Sequence, residues 1–201
     1  MDYLKTKTIL EKNGFSVALH ATLEAAASAV LAEIPLSASV GFGGSVTVDE
    51  SGLYDQLRQR GNRVYWHWKE PGSAREATLA AAHNADIYLS STNALTMDGV
   101  LINIDGTGNR VAALAYGPKA VHLLVGKNKL AEDIEAGYRR VKEVACPLNA
   151  RRLGLKTPCT VDNKCHRCAN SITICRVISY MDKAVPGRPF TIHIIDQEVG
   201  Y

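Results

Sequence analysis

The stretch ASVGFGGSVTVDESG, residues 38–52, runs small apolar residues straight into Gly41, Gly43, Gly44, Ser45 and Thr47. A strand that ends in glycines leaves its backbone N–H groups open to a ligand, because no Cβ stands in the way. In open parallel sheets ligands gather at that end of the strands, and phosphate, carboxylate or a coenzyme would each suit such a turn. The pattern is G-x-G-G-S, with Val46 where the dinucleotide fingerprint has its third glycine, and the next apolar run ends in YWHW with Glu70 beyond it. The segment therefore does not read as a nicotinamide dinucleotide site. A tight strand-to-helix turn without a ligand is the competing reading.

Working outward, helices are expected over 2–13 and 21–33, the second closed by Pro35, and then strand and helix alternate: strand 38–42, helix 51–60, strand 63–68, helix 73–84, strand 86–90. Such alternation predicts an α/β fold with a mainly parallel sheet and helices on its faces. Beyond residue 90 the rhythm breaks into an extended run at 100–104 between glycine-rich turns and a short helical piece at 110–115. An apolar strand follows at 120–125, then a helix over 131–145 whose Asp133 and Glu135 come early and Arg139, Arg140 and Lys142 late, as the helix dipole favours. PFTIHIID, 189–196, reads as a last strand. The expected organisation is one domain over 1–201: N-terminal helices to 35, an α/β core over 36–156, a cysteine-rich loop over 157–176 and a C-terminal strand region over 177–201.

The 201 residues are 46% hydrophobic and 21% charged with a net charge of +3, an ordinary globular composition with no run of one sign, so no nucleic-acid partner is expected. Lys5, Lys7, Glu11 and Lys12 interrupt the N-terminus, so it does not read as a signal peptide. Nothing approaches the ~20 apolar residues of a membrane span. A cytoplasmic chain with reduced thiols is the expectation.

The second polar loop, SSTNALTMDGVLINIDGTGNR at 90–110, begins where an apolar strand ends. Asp98 and Asp105 are its only carboxylates and are the candidates for general acid or base. Asn93, Thr96 and Asn109 would position a substrate. Arg110 and Lys127 would counter its charge, with Lys129 as a further cation in GKNK. Asp98-Gly99 and Asp105-Gly106 are also turn formers, and two bends without a site is the bland alternative. Two polar loops leaving strand ends are expected to converge on one hollow.

ADIYLSSTNALTMDGVLINIDGTGNRVAALAYGPKAVHLLVGKNKL, 85–130, followed by PLNARR at 147–152 and the cysteine segment, resembles the lactate-utilisation (LUD) domain family. The resemblance implies a three-layer α/β/α fold similar to the ribose-5-phosphate isomerase, glucosamine-phosphate deaminase and CoA-transferase group, with the glycine loop and the polar loops lining one pocket. It also implies association with oxidation of lactate to pyruvate, beside iron–sulfur partner proteins. It supplies no defined catalytic residue.

CTVDNKCHRCANSITIC, 159–175, spaces its thiols Cys-x5-Cys-x2-Cys-x6-Cys. Cys159, Cys165, Cys168 and Cys175 could close around one metal centre; a [4Fe-4S] cluster, a structural zinc and uncoordinated thiols are the three readings weighed, the cluster first. His166 reads as solvent-facing, Cys146 as a small buried residue, and His67 and His83 as structural. The resulting expectation is a lactate-utilisation type protein, an oxidoreductase component that binds a small carboxylate or phosphorylated metabolite. An iron–sulfur or redox protein is its expected partner, and self-association is left open. The alternatives are a non-redox isomerase or transferase braced by zinc, and a non-catalytic subunit.

Overall fold

The computed structural model describes residues 3–169 and 171–201. The elements follow as α1 (Tyr3–Lys12), β1 (Ser16–His20), α2 (Leu23–Glu33), β2 (Ser39–Phe42), α3 (Val46–Glu50), α4 (Leu53–Arg60), β3 (Arg63–Tyr65), α5 (Arg75–His83) and β4 (Ile87–Ser90). After these come β5 (Ala94–Thr96), β6 (Leu101–Asp105), α6 (Asn109–Ala115), β7 (Ala120–Gly126), β8 (Leu130–Ala131), α7 (Ile134–Arg140), α8 (Cys146–Arg152), α9 (Cys159–Asp162), β9 (Val177–Met181) and β10 (Phe190–Ile195). Six strands form a parallel sheet in the order β1-β10-β7-β4-β2-β3, with helices on both faces.

Strand alternation decides the two faces. Val121, Leu123 and Val125 of β7 and Ile192 and Ile194 of β10 turn towards α1, α5 and α6, where Leu10, Ala82, Ala113 and Leu114 meet them. Val40, Phe42, Leu89, Leu124 and Ile195 turn the other way, against Ala26, Ala27 and Val30 of α2 and Leu53, Tyr54 and Leu57 of α4. Burial on both faces is what a parallel sheet demands, and it explains the nearly unbroken apolar runs of its central strands. Gly41 of β2 lets α5 close onto the sheet: a Cβ there would lie 2.2 Å from the Ala82 carbonyl oxygen.

Several elements differ from the sequence expectation. Residues 16–20, between the first two helices, form the edge strand β1. The expected helix 51–60 starts only at α4, after Gly52, whose φ of 67° no ordinary helix position adopts, and a further short helix, α3, precedes it over Val46–Glu50. The strand at 63–68 ends at Tyr65, because Trp66 turns into the core to stack on Phe42 with ring centroids 5.1 Å apart. The helix at 131–145 starts only at α7, capped by Asp133, and passes through a π-helical turn, Val141–Ala145, into α8. Pro147 has no N–H to return to the preceding turn, and a wider turn upstream of it accommodates that loss.

A second sheet, β8-β5-β6-β9, holds the irregular part of the chain. Its β6–β9 pairing runs antiparallel from Leu101↔Met181 to Asp105↔Val177 and so delivers the cysteine segment to the carboxyl end of β6. Among the described residues no helix is long and apolar enough to cross a membrane.

Three histidines on neighbouring strands lie in the otherwise apolar α2 side. His20 Nε2 and His193 Nδ1 are 3.1 Å apart, and His193 Nε2 and His122 Nδ1 are also 3.1 Å apart. Burial holds His122 down to about 4, and burial with the neighbouring imidazoles holds His193 down to about 3, so both are neutral at pH 7. An unfolded chain takes up protons at these sites near pH 6.5, whereas the folded one refuses them until well below. The free energy of unfolding should be flat above pH 7 and fall as pH drops from 6.5 towards 4; urea titrations at pH 7.5 and 5.0 measure this, with a lower midpoint expected at pH 5.0.

Candidate functional site

The sheet order places the chain's direction change between β2 and β4: from β2 the path goes outward to β3, then returns across to β4 on the other side. Loops leaving neighbouring strands at such a point diverge and leave a crevice above their carboxyl ends. Here the crevice is a hollow of about 190 Å³ lined by Gly44 and Ser45 after β2, Ser91, Thr92 and Asn93 after β4, and Asp105, Asn109 and Arg110 around the start of α6. The turn at 66–68, Lys129, and Cys146, Asn149 and Arg152 of α8 complete the walls, with Tyr201 and Ile174.

The glycine loop and the Asn/Asp loop therefore meet. Gly44 and Ser45 line the hollow, and the Trp68 ring packs close over Gly44, 3.1 Å from where a Cβ would stand. Ser45 caps α3 by accepting from the Val48 amide. Asn93 accepts from the Ile104 amide at 2.9 Å and from the Arg110 guanidinium at 2.7 Å, so it ties the two polar loops together. Asp105 accepts from the first-turn amides of Arg110 at 3.0 Å and Val111 at 3.3 Å, beside the Gly108 cap of α6, and is the one carboxylate among the described residues on the wall.

Other candidates lie elsewhere. Gly41 is spent on the approach of α5, and Gly43 gives its N–H to the Leu89 carbonyl at 2.9 Å, so neither presents an amide to the hollow. Thr96 donates to Asp98 and accepts from the Val100 amide, the polar staple of the β5–β6 turn, away from the hollow. Lys127 pairs with Asp196 at 3.4 Å. Thr47 is fully buried behind the wall, donates to the Val199 carbonyl and touches the hollow only through Lys129.

Lys129, two residues beyond Lys127, is the cation that enters. It is 3% exposed, and its Nζ donates to Thr47 Oγ1 at 2.6 Å and Ser91 Oγ at 2.9 Å. Among the described residues no carboxylate forms an ion pair with it. Burial, with the charges of Arg140 and Arg110, brings it down to about 7, Glu50 opposing. Arg140 donates to the backbone carbonyls of Asn93 and Asn128 and so fixes the loops on either side of the lysine.

The rim is aromatic and basic. Trp68 stacks on Trp66 at 5.4 Å, and the Arg152 guanidinium lies over Trp68 at 4.1 Å. Tyr201 donates to Asn149 and accepts from Arg152. Arg75, Arg110, Lys129 and Arg152 thus face one carboxylate, an arrangement that attracts anions. Burial first, and then Arg75, lowers His67; its Nδ1 is buried and lacks a hydrogen-bond partner. The sequence reading passed over Arg75, Trp68 and Tyr201, for which no motif speaks.

Beyond Cys146 lies a second cavity of about 250 Å³, lined by all five cysteines together with Tyr138, Lys142, His166, Arg167 and Thr173. Cys146 fronts both cavities. Interaction with Cys146 pulls Cys175 below the ordinary thiol range, and the same interaction with burial pushes Cys146 above it. Glu33 at the surface and the buried His122 and His193 bring three donor atoms within 4.8 Å of one another, and none of the three lines either cavity.

The LUD domain model matches residues 3–184. The chain belongs to the LUD domain family. A search of curated proteins gave no match. Among solved structures the chain is similar to a DUF162 family protein from Deinococcus radiodurans, with a TM-score of 0.56 at 12% identity over 96% of this chain and 95% of that one, a likeness of fold. LUD membership supports a role related to lactate utilisation.

Because Asp105 closes the first turn of α6, Asp105→Ala should lower stability by about 1 kcal/mol, the usual scale of a lost helix cap. Urea denaturation of the variant beside wild type measures it.

Proposed function

We propose that the hollow binds a small hydroxy- or oxo-carboxylate in lactate-related metabolism, and that the adjoining cysteine cavity holds an iron–sulfur cluster serving the same reaction. The observation that carries the first part is the make-up of the wall: the guanidiniums of Arg75, Arg110 and Arg152 and the buried Lys129 amine face, among the described residues, the single carboxylate of Asp105. Three guanidiniums against one carboxylate leave a surplus of positive charge on the wall that an anionic guest would offset. The volume of about 190 Å³ suits a metabolite of few carbons rather than a dinucleotide. Arg152, whose guanidinium lies over Trp68, would offer charge-assisted hydrogen bonds to a carboxylate, and Lys129 lines the same hollow.

Support for the second part is the donor set: Cys159, Cys165, Cys168 and Cys175 share one cavity with Cys146, and Cys175 is held towards its thiolate form. An iron–sulfur cluster supplies one-electron transfer when bound. The protein residues would hold it, with the Cys146 side chain between it and the anion.

Calorimetric titration of the protein with L-lactate, pyruvate and inorganic phosphate tests the pocket. Saturable binding of a carboxylate is expected, weakened about tenfold in Arg152→Ala by loss of one charge-assisted pair; no binding of any of the three would overturn the reading. Oxygen-free purification with iron analysis and spectra before and after dithionite tests the cysteines, with bound iron expected in wild type and lost in Cys168→Ser. Colourless, iron-free protein after reconstitution with iron and sulfide would rule the cluster out.

A further inference from the structure

Lys129 is built differently from a lysine that serves only as a counter-charge. A structural cation in a protein interior is normally matched by a carboxylate, because an isolated charge there is expensive. Lys129 is 3% exposed and its two side-chain partners are hydroxyls, Thr47 and Ser91. Hydroxyls can accept from either protonation form of the amine, so they aim the nitrogen without obliging it to stay charged. The charged groups that bear on it are Arg110, Arg140 and, opposing them, Glu50. Two neighbouring guanidiniums and burial all favour the neutral amine, whose lone pair is a nucleophile.

We propose that Lys129 captures a 2-oxo acid as a protein-bound imine at the base of the hollow. The inference rests on the reading of this hollow as a small-carboxylate site and names the reactive class within it. The substrate must carry a carbonyl, which the amine requires, next to a carboxylate, which the basic wall requires. In the reaction the amine lone pair attacks the carbonyl carbon and one of the nitrogen's protons passes to the carbonyl oxygen, giving a neutral carbinolamine. A second proton, taken up from solvent, lets that oxygen leave as water while the nitrogen lone pair completes a positive C=N bond, with no net oxidation or reduction. The positive imine draws electrons from the adjacent carbon, so hydrogens there become exchangeable. Lys127, held in its pair with Asp196 outside the hollow, has no such role.

Borohydride trapping tests this on the wild-type protein, so that the outcome does not hang on a variant folding. The protein is incubated with pyruvate, reduced with sodium borohydride, and digested for peptide mass mapping, with L-lactate, which has no carbonyl, in a parallel arm. The expected result is one reduced pyruvyl group on Lys129, absent from the lactate arm and suppressed by excess lactate. Exchange of pyruvate methyl hydrogens in deuterium oxide, followed by proton magnetic resonance, should be faster with wild type than with Lys129→Arg. Calorimetric binding of pyruvate without an adduct on Lys129, or with adducts spread over surface lysines, would overturn the imine and leave the carboxylate site standing. Absence of both pyruvate and lactate binding would overturn the site itself.

Discussion

Lys129 reaches Thr47 and Ser91 at once, and in doing so it ties together three loops that leave the parallel sheet at its carboxyl end. Thr47 opens α3 after β2, Ser91 follows β4, and Lys129 follows β7. The contact is made where the strand order reverses, the place where loops otherwise separate. One buried nitrogen thus fastens the rim and stands on the wall of the hollow. The surrounding residues serve that double use: Arg140 fixes the backbone of Asn93 and Asn128 on either side, and Asn93 links the loop after β4 to Arg110.

The fold was legible where burial leaves a long local trace. Central strands β2, β4, β7 and β10 are apolar on both faces, and the helices between them carry regular apolar stripes. Edge strand β1 is five residues with a single buried position, Val17, and gives no such trace. The second sheet was hidden for a similar reason. β5 and β8 are three and two residues long, and β9 leaves Val177, Ile178 and Tyr180 exposed, so their pairing is a tertiary fact rather than a local preference.

The site was legible as a pair of polar loops, and its membership was not. Lys127 and Lys129 belong to one tight turn, and only the path of that turn decides which side chain goes inward. Asp98 and Asp105 both precede glycine, yet one staples a hairpin while the other reaches a helix end on the wall of the hollow. Cys146 looked solitary because twelve residues lie between it and Cys159; α9 packs against α8 and brings it among the other thiols.

Cys146 lines both cavities, so the hollow and the thiol cavity share a wall at that residue. Across a shared wall of low polarity, charge on one side is screened far less than it would be by water. Occupancy of the two chambers is then a linked equilibrium: whatever negative charge gathers among the sulfurs raises the work of admitting an anion next door, and the reverse holds by the same amount.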